Sequence, residues 1–307
     1  MKEIIEALQN YDIKEMAPIV LLRESGDNFV YVVGEKDKKV LRVSKRLPIE
    51  DIKFEYEAVA HLSKGGMIVP KWLMTRTGEF YVLINGSVSV LFDFLNGHHI
   101  EVDKEHLPSL AQAYNAGKGL GFMSNISPGF KSSSPRKRNI FTEFERALTF
   151  KDIFIKNFEG GEKFIEQVNK AIVFGKSQSE IEGLIHNDYR SHNVFFNDKD
   201  EFSGIIDFDW SCNGPLIKDL ALAVVEWSFP DGRTEPDFII FDSFLDGYNS
   251  VATHKWFKDE KLYSWIKFTT LSDAATYFCD LAEDTASTKK IIRSYMYRKY
   301  LFFSNLK

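Results

Sequence analysis

Cysteine is scarce in this chain of 307 residues. There are two, Cys212 and Cys279, and they form no CxxC pair. That excludes a disulfide framework and a thiolate zinc site, and leaves two buried thiols in a reducing cytoplasm as the expectation. No apolar run approaches the roughly 18 residues a bilayer span needs, so no membrane partner is expected. Residues 1–10 carry scattered acids and no small-residue cleavage site, and they read as a short amphipathic helix rather than a signal peptide. An excess of positive charge is missing too: 39 Lys plus Arg stand against 44 Asp plus Glu, a formal net charge of −5. A non-specific nucleic-acid binder needs the opposite balance, so no nucleic-acid partner is expected. There is no internal repeat and no low-complexity tract. What is present, 44% hydrophobic and 27% charged residues, is an ordinary globular mix long enough for two domains.

The acids are unevenly spread. Residues 180–250 hold 15 acids and 4 bases, a net of −11. Crowded carboxylates repel unless something positive sits among them. A metal ion or a cationic substrate is one solution, and a well-solvated surface is the other.

Periodicity divides the chain. Residues 18–23, 29–33 and 39–44 read as strands, the last with alternating character, with turns at 24–28 and 35–38. Residues 48–63 repeat Ile52, Tyr56, Val59 and Leu62 at helical spacing and stop at Gly65-Gly66. Short strands follow at 80–84 and 88–94. After Gly97 the pattern turns helical: residues 106–123 despite their glycines, then 162–176, 216–229, 236–251 and 259–305, the last broken near 284–288. Residues 124–139 read as a loop whose Arg136-Lys137-Arg138 triplet is expected to be solvated. The sum is a strand-rich lobe over 1–95 and a mostly helical lobe over 96–307. A ligand site is expected in the cleft between two such bodies. Trp210, Trp227 and Tyr277 sit among apolar neighbours and are expected in the core.

The informative stretch is Leu184-Ile-His-Asn-Asp-Tyr-Arg-Ser-His-Asn-Val-Phe-Phe196, followed by Ser203-Gly-Ile-Ile-Asp-Phe-Asp-Trp-Ser211. An apolar strand leads into a polar loop with His186, Asp188 and Asn193. Two strands around the turn 197–201 then end at Asp207. A hairpin of that length returns Asp207 toward Asn193 and Asp188. Two carboxylates and an amide oxygen are hard ligands of the kind magnesium takes alongside phosphate oxygens. A carboxylate left over can orient or deprotonate a hydroxyl, which makes the set suitable for phosphoryl transfer.

His186-x-Asp188-x-x-x-x-Asn193 with Ile206-Asp207-Phe208 resembles the catalytic and metal-binding signature of the aminoglycoside phosphotransferase / choline kinase family, relatives of the protein kinases. Residues 193–196, 203–207, 212–213 and 244–251 look most like its homoserine-kinase branch. The resemblance implies an α+β, two-lobed protein-kinase-like fold, with a small antiparallel-sheet N-lobe and a larger helical C-lobe. It implies an ATP- and Mg2+-dependent kinase acting on a hydroxyl of a small molecule. Asp188 would be the catalytic carboxylate, and His186 would brace its loop. Asn193 and Asp207 would hold magnesium, and Asp219 would support the catalytic loop. In the N-lobe, Arg42 would contact the α/β-phosphates, with Glu55 as its ion-pair partner and Glu57 as the runner-up. Gly26 would lie in the phosphate-covering loop. Phe92-Asp93-Phe94-Leu95 would be the hinge that meets adenine through backbone groups, a mode that leaves GTP open beside ATP.

The chain departs from the kinase pattern in places. The third strand offers arginine instead of lysine, and the covering loop has one glycine where protein kinases have three. Asp209 replaces the glycine of Asp-Phe-Gly, so it is either a second metal contact or a contact to a positively charged acceptor. No activation loop or Ala-Pro-Glu motif follows Asp207, so the partner is expected to be a small molecule and not a protein. Because the helical lobe is acidic, that acceptor is expected to bear an amino or quaternary ammonium group. The alternative is a catalytically silent nucleotide-binding module acting through a partner. The complete set Asp188, Asn193 and Asp207 speaks for an enzyme.

Overall fold

The computed structural model describes residues 1–25, 28–44, 48–134, 136–283, 290–291 and 294–306. Gly26 and the interruption near 284–288 lie outside the described residues. The protein is α+β and divides into two compact units. The first comprises Met1–Gly97 with two distant segments, Lys131–Lys137 and Ser203–Asp209. The second comprises His98–Phe130, Arg138–Phe202 and Trp210–Lys307.

In the first unit, α1 (Lys2–Leu8) precedes β1 (Ile19–Ser25), β2 (Asn28–Val33), β3 (Lys39–Ser44), α2 (Ile49–Lys64), β4 (Val82–Ile84) and β5 (Ser87–Asp93). The five strands form one antiparallel sheet in the order β1-β2-β3-β5-β4. Strand alternation sorts the side chains of β3 to two faces. Leu41 joins Ile4, Leu8, Tyr11 and Leu91 in one buried cluster under α1. Arg42 therefore points to the other face, where it meets Glu55 of α2. On α2 the buried set Ile52, Glu55, Val59 and Leu62 keeps helical spacing, while Tyr56 turns aside to stack on Phe80 with centroids 5.0 Å apart. Burial of each large aliphatic on that face is worth about 1.5–3 kcal/mol.

The second unit runs α3 (Leu110–Ile126), α4 (Thr142–Thr149), α5 (Lys151–Asn157), β6 (Phe158–Glu159), α6 (Gly161–Ser177), β7 (Glu182–Ile185), a 3-10 turn (Ser191–Asn193), β8 (Val194–Phe196), β9 (Phe202–Ile205), β10 (Cys212–Pro215), α7 (Leu216–Ser228), α8 (Phe238–Val251), α9 (Glu260–Glu283), β11 (Lys290–Ile291) and α10 (Tyr295–Asn305). The last three residues of β9 fold with the first unit. Helix α7 is buried almost all round and forms the centre of this unit. Both cysteines are buried. Among the described residues no helix is long and apolar enough to cross a membrane.

The glycines of α3 have a packing reason. A Cβ on Gly117 would lie 2.0 Å from the Phe244 carbonyl oxygen of α8, and one on Gly121 would lie 2.5 Å from the Tyr248 carbonyl oxygen. Reciprocally, a Cβ on Gly247 would lie 1.9 Å from the Tyr114 carbonyl oxygen. Backbone meets backbone at this crossing, and an interior at crystal density leaves no room for a methyl group. Gly117→Ala and Gly247→Ala are each expected to destabilise the fold by about 1–3 kcal/mol or more, as overpacked cores do. A denaturant midpoint unchanged in either variant would show the crossing to be looser than described.

Candidate active site

The expected site residues fall in both units. Those of the second unit are built on β7. Its buried Gly183, Leu184 and Ile185 pair with β10 and carry the chain inward to His186, which has no exposed surface. Asp219, in the first turn of α7, then fixes the loop. Its Oδ2 accepts from the His186 backbone N–H at 2.7 Å and its Oδ1 from that of Asn187 at 2.8 Å. Burial raises the Asp219 pKa, an effect partly offset by the histidine and by these two N–H groups. Asn187 is left-handed at φ 64, a conformation asparagine tolerates better than most residues. Its side chain is held at both ends: Nδ2 donates to the Trp210 carbonyl at 3.1 Å, and Oδ1 accepts from buried Lys218. Tyr189 is buried and donates to the Ala116 carbonyl at 2.8 Å.

Asp188 is oriented by two neighbours. Asn193 Nδ2 donates to its Oδ2 at 3.0 Å and to its carbonyl at 2.9 Å, and Arg190 Nε donates to its Oδ1 at 2.5 Å. The 3-10 turn brings Asn193 into place, and the side chain is fully buried. Its Oδ1 has no hydrogen-bond partner among the described residues. An unmet acceptor at that depth costs about 1–3 kcal/mol, so it fits a ligand position for a hard cation.

Arg190 carries no motif signal of its own, yet its guanidinium binds three carboxylates. Besides Asp188 it donates to Glu226 of α7 at 2.8 Å and to Asp273 of α9. Buried Lys299 of α10 completes the cluster with Nζ 2.5 Å from Glu226. Charged groups this far from water need such mutual pairing. A cavity of about 530 Å3 opens beside the cluster, lined in part by Asp188, Arg190, Asp231, Asp273 and Asp280. Trp210 and Tyr277 also line it, so these two are wall residues rather than core, whereas Trp227 is buried as expected. The reason is tertiary: α9 turns Tyr277 outward, leaving it 47% exposed.

In the first unit, Arg42 and Glu55 form a bidentate pair, Nη1–Oε1 at 2.8 Å and Nη2–Oε2 at 2.5 Å. Glu57 does not share it. The guanidinium lies 5.6 Å from the Phe92 ring centroid. Burial lowers the Arg42 pKa and Glu55, Asp209 and Asp207 raise it, for a net rise that keeps the residue charged. Arg42 Nε is buried with no partner among the described residues. Asp207 is left-handed at φ 69. A non-glycine residue in that region stores strain, and such positions cluster at functional sites. Phe208 is buried while Asp207 and Asp209 are half-buried. Phe92 and Asp93 end β5, with Asp93 N–H donating to the Lys71 carbonyl at 2.9 Å. Phe94 and Leu95 follow the strand.

Of the basic triplet, Lys137 is exposed as expected, but Arg136 and Arg138 are half-buried rather than solvated. The Arg136 guanidinium lies over Phe54, 5.2 Å from the ring centroid, and donates to the Asp209 carbonyl. Arg138 sits 3.8 Å from the Trp210 ring centroid and pairs with Glu143 at 2.9 Å. Aromatic faces hold both cations, which the local sequence does not record.

A profile of the phosphotransferase enzyme family (APH) matches residues 19–253. The chain is 27% identical over 256 residues to a homoserine kinase of Rhodopseudomonas palustris (strain BisA53), covering 80% of this chain and 74% of that protein. It is 29% identical over 231 residues to a homoserine kinase of Phenylobacterium zucineum (strain HLK1), covering 74% of this chain and 64% of that protein. Among solved structures it resembles the amicoumacin kinase hAmiN in complex with AMP-PNP, Ca2+ and Ami, with a TM-score of 0.71, 15% identity, and coverage of 98% and 91% of the two chains. A likeness at that identity shows the fold.

Proposed function

The chain belongs to the phosphotransferase enzyme family, and from that premise we propose that it transfers the terminal phosphoryl group of ATP to a hydroxyl of a small, amino-bearing molecule. The observation that carries the acceptor reading is the cavity of the second unit, where Asp188 shares the wall with three further aspartates. Carboxylates around a concave surface raise the local concentration of cations and orient an ammonium group. Homoserine-like, choline-like and aminoglycoside acceptors all carry such a group.

Asp188 receives the hydroxyl proton, with its two oxygens already directed by Asn193 and Arg190. His186 and Asp219 keep the loop in shape through the backbone bond between them. Arg42, fixed by Glu55, offers its remaining N–H groups to the non-transferred phosphates. The segment Phe92–Leu95 meets the adenine ring. Asn193 and Asp207 would be the oxygen donors for magnesium, which when bound would neutralise charge on the transferred phosphoryl group. Asp209 is a further acid beside them in sequence, available to the metal or to a cationic acceptor. Among the described residues no group of three His, Cys, Asp or Glu side chains could hold a metal.

A coupled ADP-release assay over amino alcohols, hydroxy amino acids, aminoglycosides and neutral sugars tests the reading. Turnover is expected with amino-bearing alcohols and is expected to vanish on chelation of divalent metal. Phosphorylation of neutral sugars alone would sink the cationic-acceptor reading. Nucleotide binding without turnover of any compound would favour the silent module.

A further inference from the structure

Glu57 is the second candidate acid of α2, which the Arg42 pair leaves unused. It follows Glu55 by two residues, and at 3.6 residues per turn that places it about 200° further round the helix. Its carboxylate faces residues 131–134 and accepts three hydrogen bonds. They come from Ser132 Oγ at 2.5 Å, Ser133 N–H at 2.8 Å and Ser133 Oγ at 2.5 Å. Burial raises the Glu57 pKa, but the two serines pull it below the usual range, so the charged form is held. The same segment grips the first turn of α2. Ser134 Oγ donates to the Glu50 carbonyl at 3.0 Å, and Arg136 Nη1 to the Asp51 carbonyl at 3.3 Å. Arg136 Nη2 reaches the carbonyl of Asp209, two residues past Asp207. Ser132, Ser133, Ser134 and Arg136 thus fasten the helix that carries Glu55 to the turn that carries Asp207, all within the first unit.

We propose that Glu57 is a positioning residue for nucleotide binding: by holding Ser132 and Ser133 it fixes the roll of α2, so that Glu55 presents the Arg42 guanidinium to the phosphates. This rests on the reading of Arg42 as a phosphate ligand. Without the grip, α2 can rotate about its axis and the bidentate Arg42–Glu55 geometry loosens. A guanidinium that has lost its fork partner no longer has one direction. The acceptor cavity belongs to the other unit and does not use this grip.

The test pairs titration of the full chain with a fluorescent ATP analogue and steady-state kinetics on the amino-bearing acceptor found by the panel. Glu57→Ala is expected to weaken nucleotide binding and raise KM for ATP about tenfold, the scale of one charge-assisted hydrogen bond. kcat at saturating ATP and the acceptor KM are expected to stay within about twofold. Glu57→Gln keeps one acceptor oxygen of two and falls in between. The Ser132→Ala/Ser133→Ala double variant removes two of the three bonds and is expected to shift nucleotide binding in the same direction as Glu57→Ala, and it decides alone if Glu57→Ala does not fold. Wild-type nucleotide affinity in folded variants would overturn the proposal. So would an acceptor KM that rises in step with that for ATP, the mark of a general loss of structure. Failure of the unaltered chain to bind nucleotide would instead overturn the phosphotransferase reading on which the proposal stands.

Discussion

Asp188→Ala is expected to lower kcat by about 10²–10⁴-fold, the range assigned to a positioned proton acceptor, while the affinity for nucleotide stays near that of the wild type. The carboxylate already has one oxygen on Arg190 and the other on Asn193. Its direction is therefore set before any acceptor arrives, and positioning of this kind is most of what phosphoryl transfer asks of a protein. Asp188→Asn keeps the shape and loses the proton affinity, so its activity is expected to resemble that of the alanine variant. Nucleotide titration beside the coupled assay separates the two quantities. An alanine variant that kept more than about a tenth of wild-type turnover would remove Asp188 from the proton-accepting role.

The second large effect is expected at a residue that touches no reactant. Asp219 is 3% exposed and meets two backbone N–H groups, one on each oxygen. Asp219→Asn replaces one oxygen with an NH2 group, which then faces a donor with a donor. The variant therefore loses a charge-assisted bond and leaves an N–H buried and unmet, together about 2–4 kcal/mol. Denaturant unfolding reads that loss. Because the two N–H groups belong to His186 and Asn187, kcat is expected to fall as well, since Asp188 is the next residue along the loop. A variant as stable and as active as the wild type would show that the bracket is not needed.

Much of this arrangement was legible from local pattern. Alternation along β3 separated Leu41 from Arg42, and the resemblance to the kinase signature pointed to an acid of α2 as its partner. Spacing alone left Glu55 and Glu57 both open. The choice was made by which side of the helix is buried, a property of the packed unit. The loop from His186 to Asn193 was legible because its residues act on one another at short range. Arg190 sits inside that loop, yet its partners Glu226 and Asp273 lie 36 and 83 positions away, and no local pattern records such distances. The same holds for Ser132 and Ser133, 75 and 76 positions from Glu57. The short helices α4 and α5 were missed because each is at most eight residues long, below the length at which periodicity is informative. Their reason to be helical is the burial of Phe144 and Phe154 against distant rings.

Lys299 gives the end of the chain an electrostatic connection to its chemistry. Its ammonium group neutralises Glu226, Glu226 shares Arg190, and Arg190 steers Asp188. Loss of α10 would uncover a carboxylate inside the protein and leave three carboxylates contesting one guanidinium. Such damage would then surface first as poor turnover, before the rest of the molecule lost its shape.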